Sequence, residues 1–147
     1  MARSGITLKL DGFSEMIKQI EKANGNADRI VESVMRESAK IVEGDLKREL
    51  IATGDDSEGL AARMPAPDVT MQHGVCRASV GWEKGAYDPN NLSDGYKVVM
   101  LNYGTPNREK HGKVKARGFI RKAKRKATPK VKEQQAQAFK KIVEGLK

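Results

Sequence analysis

The sequence predicts an α+β fold: a short N-terminal strand, two helices of which the second is long, a small antiparallel sheet packed on the long helix, and a C-terminal helix. Three patterns predict it. Apolar and polar residues alternate over 5–10 and again over 69–83, the period of a half-buried strand. Between these runs, Val31, Met35, Ala39, Val42, Leu46 and Leu50 recur at helical spacing. Near the end, Val131, Gln135, Phe139, Ile142, Val143 and Leu146 form a second helical stripe. The sheet's apolar face needs a cover, and the long helix is the only element large enough to supply it.

The first strand places Ile6, Leu8 and Leu10 on one face, and Asp11-Gly12 closes it. Phe13, Met16, Ile17, Ile20 and Ala23 then space a helix of a few turns, ended by Asn24-Gly25-Asn26. The long helix should run from Ala27 to Ala52, about 38 Å at 1.5 Å per residue. Glu43 and Lys47 form a favourable i,i+4 pair on it, Lys40 with Asp45 adds little, and Gly44 weakens its middle. Thr53-Gly54 breaks it, and Leu60 to Arg63 is too short to assign. In the next strand Cys76, Ala78, Val80 and Trp82 share a face, with His73-Gly74 as a hairpin turn. Residues 84–95 read as a surface loop, and 96–103 fits a buried strand or a short helix equally. A helix is expected over Phe119–Ala127, and Thr128-Pro129 should cap and start a separate last helix.

The chain of 147 residues is the size of one domain, here 1–147, with a basic loop or arm at about 104–118. Its net charge of +9 is unevenly placed. Residues 1–107 carry 13 Lys/Arg against 16 Asp/Glu, whereas 108–147 carry 15 against 3. That polarity predicts a near-neutral body with a basic face that meets something acidic. The opening residues lack a secretory apolar core, and no stretch approaches the ~20 apolar residues of a membrane span.

Most chemistry fails on residue types. A zinc site would need His73 and His111 to converge with Cys76 or a carboxylate, and His111 sits among lysines. A Cys/His nucleophile would need the same residues, yet Cys76 alternates in step with an apolar face, where thiols are inert. Asp55, Asp56 and Glu58 lack the ligand set of a calcium loop. No phosphate loop is present. Neither an enzyme nor a cofactor is predicted.

The strong signal is the segment Arg108–Lys126, with ten Lys/Arg in nineteen residues. Its candidate interface residues are Arg108, Lys110, Lys113, Lys115, Arg117, Arg121, Lys122, Lys124 and Arg125. Such density suits a surface that tracks phosphates or grips an acidic neighbour. A plain solvated face is the alternative. Phe119 is the one aromatic within the run, and it reads as a core anchor rather than a base-stacking platform.

Three ordered stretches carry a resemblance. Leu50-Ile51-Ala52-Thr53-Gly54 followed by Gly59-Leu60 looks like a long helix running into a Thr-Gly turn and a leucine. Tyr103-Gly104-Thr105-Pro106 looks like an aromatic-Gly-Thr signature, and Phe119-Ile120-Arg121-Lys122-Ala123 like a closing Phe-aliphatic-x-x-Ala. Together they resemble the tail-completion or head–tail joining proteins of long-tailed bacteriophages. The likeness extends over 6–146. It departs from family habit at Ala52, Asn102 and Gly118, where proline, an acidic residue and proline are common. The resemblance implies a non-catalytic structural subunit of the virion neck or tail, made in the host cytoplasm. Its implied partners are other neck and tail proteins, and it would form a homo-oligomeric ring in the particle, with a monomer compatible with the free form. A loop tethered at Phe119 could then contact phage DNA through its backbone, with no role for a membrane. The alternative function is sequence-independent DNA binding by the basic C-terminal segment.

Overall fold

The computed structural model describes residues 3–10, 18, 21–22, 26–54, 57–72, 75–83, 92–104 and 115–145. In chain order the elements are β1 (Arg3–Leu10), α1 (Ala27–Ile51), α2 (Ser57–Ala62), β2 (Asp68–Gln72), β3 (Val75–Glu83), α3 (Asp94–Tyr103) and α4 (Phe119–Gly145). The architecture is α+β, as the periodicities predict. Of the expected first helix, only Lys18, Glu21 and Lys22 are described, all helical; the remainder lies outside the described residues, as does the turn at His73-Gly74.

The sheet has the order β1-β3-β2, antiparallel throughout. β1 and β3 pair from Arg3↔Glu83 to Leu10↔Cys76. Period-two alternation therefore turns Ile6, Cys76, Ala78, Val80 and Trp82 to one buried face. Gly5 and Gly81 lie opposite each other. A Cβ on Gly81 would fall on the Ser4 carbonyl, so this close approach requires glycine.

α1 covers that face. Asn26 caps it, its Oδ1 accepting from Arg29 N–H at 3.2 Å. Val31, Met35, Ala39, Val42, Leu46 and Leu50 are all buried and form one core with the sheet, Val98 and α4. α4 lies antiparallel beside α1, burying Phe119, Ala123, Ala127 and Val131.

Two expectations about elements are corrected. The stretch left open between strand and helix is the helix α3, starting at Asp94 inside the expected loop, with Ser93 Oγ accepting from Tyr96 N–H at 3.2 Å. The separate last helix does not exist, because α4 runs unbroken from Phe119 to Gly145 with Pro129 inside it. Thr128 does not cap: its hydroxyl donates back to the Lys124 carbonyl at 2.6 Å. The buried residues Phe119, Ala123, Ala127 and Val131 lie on both sides of Pro129, so packing holds the helix through it. The unassigned stretch near Leu60 contributes to α2, whose Leu60 and Ala61 join the core.

Candidate functional site

Two of the resemblance-bearing residues, Leu60 and Phe119, lie far apart in sequence and meet at Trp82. Its indole Nε1–H donates to the Leu60 carbonyl at 2.7 Å. Its ring meets Phe119 edge-on, with centroids 6.5 Å apart and planes at 82°. Leu60, Trp82, Phe119 and Ala123 are all buried. Thr53 ends α1 by donating its hydroxyl to the Leu50 carbonyl at 2.7 Å, and Gly54 N–H donates to Ile51 at 3.1 Å.

A second joint fixes the start of α4. Gly104, at φ 77°, ends α3 by donating its N–H to Met100 at 2.7 Å. The incoming chain then pairs with the end of α3: Arg117 N–H donates to Leu101 O at 2.9 Å and Gly118 N–H to Asn102 O at 3.0 Å. Asn102 Oδ1 accepts from Ile120 N–H at 3.0 Å. Gly118 has no side chain with which to cap α4, so Asn102 supplies the capping oxygen from another element. Tyr103, one residue on, is 72% exposed. Thr105 lies outside the described residues.

Of the candidate basic residues, Arg108, Lys110 and Lys113 lie outside the described residues. Lys115 is exposed and Arg117 half-buried. Arg121, Lys122, Lys124 and Arg125 are exposed on the first turns of α4, and none forms an ion pair with a described residue. Lys126 and Lys130 differ. Lys126 pairs with Glu49 of α1, and Lys130 Nζ reaches both Asp45 oxygens at 2.9 and 3.1 Å. Farther along, Ser38 donates to Gln134 Oε1 at 2.6 Å and accepts from Gln135 Nε2 at 3.0 Å. α4 thus has an inner polar row neutralised by α1 and an outer basic face left to solvent.

Asp45 finds partners that its neighbours in sequence do not announce: its side chain is 3% exposed and is held by Lys130 and Arg48. Burial pushes its carboxyl upward, but the hydrogen bonds and charges of Lys130 and Arg48 outweigh that and leave it below the usual aspartate range. The hint in the sequence is its place directly beside Leu46 of the buried stripe. The pair of Arg63 and Asp94 is not apparent from the sequence at all. The guanidinium meets both carboxylate oxygens, at 2.9 and 3.1 Å, and holds Asp94 below the ordinary range. Nothing in their separation of 31 residues announces that pair.

Cys76 is fully buried, and burial first, then Glu32, pushes its thiol up and away from reactivity. His73 and His111 lie outside the described residues, as do Asp55 and Asp56. Among the described residues no group of three or more His, Cys, Asp and Glu could hold a metal, and no helix is long and apolar enough to cross a membrane. No family model, curated protein or solved structure matches the chain.

Proposed function

We propose that this protein is a tail-completion or head–tail joining subunit of a long-tailed bacteriophage, acting by docking to other neck or tail proteins within a ring. The observation that carries the reading is a rigidly seated helix with a one-signed outer face. Phe119 and Asn102 fix the start of α4, while Arg121, Lys122, Lys124 and Arg125 point away from the core without acidic partners among the described residues. Three of the motif residues support it too, since Leu60 and Phe119 meet at Trp82 and Gly104 ends the helix whose Asn102 caps α4. In a ring, such a face reaches the next subunit or whatever passes through the centre. The subunit would reside in the virion and be made in the host cytoplasm. Electron microscopy of particles lacking the protein should show tailless heads or tails with ragged ends. Normal infectious particles would overturn the proposal.

The same face favours a second reading, sequence-independent contact with the DNA backbone. Exposed cations without internal counter-ions release condensed ions from phosphates on binding. Affinity for duplex DNA should fall steeply with salt. Changing Arg121, Lys122, Lys124 and Arg125 together to glutamine should flatten the log–log slope by about one for each phosphate no longer neutralised. No binding at low salt removes this reading.

A further inference from the structure

Tyr103 is the most exposed large apolar side chain among the described residues, at 72% against 44% for Ile51 and 37% for Tyr96. Its backbone is held on both sides. Asn102 before it is buried and caps α4, and Gly104 after it closes α3. A phenol ring presented this way loses little freedom on docking, and tyrosine is a frequent anchor of protein interfaces.

The same molecule carries a groove that such a ring fits. Beyond Val131 no described residue of α4 is buried, and there α1 and α4 leave a cleft of about 500 Å³ between them. Ile30, Val34, Ala138 and Ile142 give it an apolar floor, and the exposed Glu37 and Lys141 stand on its rim. Pockets that enclose small ligands span about 300–1,000 Å³, so a single ring enters it readily. The Glu37 carboxylate can accept from the phenol hydroxyl, the polar end that a buried tyrosine needs satisfied. Ring and groove lie toward opposite ends of α4. Asn102 bonds to Ile120, and Ala138 follows roughly 27 Å farther along at 1.5 Å per residue. One chain therefore does not seat its own Tyr103. A contact between two different patches of identical chains is head-to-tail, and it closes into a ring when the rotation allows.

We propose that Tyr103 of one copy seats in the α1–α4 groove of a second copy, its hydroxyl donating to Glu37. The contact rests on the proposed ring and deepens it by naming the residues through which neighbouring copies meet.

Sedimentation equilibrium of the purified full chain, up to about 1 mM protein, tests it. The mean mass should rise with concentration. Tyr103→Ala should weaken association at least about tenfold. Tyr103→Phe keeps the ring and loses the hydrogen bond, so it should weaken association only about threefold to tenfold. Ser33→Trp, at the exposed rim, should fill the groove and act as strongly as Tyr103→Ala. Both positions are exposed, and circular dichroism checks that each variant folds. Mixing Tyr103→Ala with Ser33→Trp should give a one-to-one pair that grows no further, since one keeps its groove and the other its tyrosine. The proposal is overturned by a wild-type chain that stays monomeric, by Ser33→Trp associating undiminished, or by a mixture that stays monomeric. Because the readout is self-association in solution, a monomer refutes this contact alone, whereas normal particles lacking the protein refute the docking role.

Discussion

Asp45 shows how a single buried charge can join two helices. Its folded carboxyl lies below the ordinary value near 3.9, so the unfolded chain takes up its proton first as pH falls. The group therefore contributes stability above the ordinary aspartate range and loses it as pH drops through the lower, folded value. Asp94 beside Arg63 has the same sign, but its pair is half-exposed and contributes less. Asp45→Asn should lower stability at neutral pH by about 1–3 kcal/mol, since it removes the charge-assisted hydrogen bonds that Lys130 and Arg48 make to a buried carboxylate. The same variant should show a flatter loss of stability below pH ~4. Urea unfolding across pH measures both, and an unchanged acid limb would refute the assignment. Asn102 is the second such residue. Asn102→Ala removes the cap of α4 and should cost about 0.5–2 kcal/mol in urea unfolding, whereas Asn102→Asp should retain most of it.

At the scale of elements, α4 is the departure from local rules. Thr-Pro is a strong start signal, yet the helix passes straight through it. Proline within a helix forfeits one backbone hydrogen bond and crowds the carbonyl four residues earlier. The buried residues from Phe119 to Val131 outweigh that cost. Pro129 is itself exposed, so Pro129→Ala should raise stability by about 1–3 kcal/mol, read as a higher thermal midpoint. A lower midpoint would mean that the proline is needed by the fold. α1 illustrates the opposite case. Its stripe, its Asn26 cap and its Thr53-Gly54 exit all agree, and the structure follows them. α3 is ambiguous in sequence because its run is short and apolar on several sides; Ser93 capping Tyr96 is the feature that marks it as a helix.

Across the whole molecule, the basic excess is divided rather than spread. Lys126 and Lys130 face carboxylates of α1, while the four cations on the opening turns of α4 face water. Added salt should therefore weaken whatever these four grip while barely changing stability, since Asp45 is buried and screened less than the surface. Parallel binding and unfolding measurements at about 50 mM and about 500 mM salt check this. A protein that unfolds as readily as it releases its partner would contradict the division. The sequence shows where the basic residues cluster but not which of them are already neutralised. That depends on α1 and α4 lying antiparallel, with partners such as Asp45 and Lys130 separated by 85 positions.

By themselves, the residues determined the strands β1 and β3, the long helix α1 with its core stripe, the apolar face of β3 and the anchoring role of Phe119. Each of these reflects a short-range period, which burial of one face imposes locally. Tertiary packing alone decided that Trp82 would gather Leu60 and Phe119, that Asn102 would cap a helix it does not belong to, and that α4 would remain whole. Those outcomes depend on groups brought together from distant parts of the chain, whose combined burial exceeds any local preference for a break.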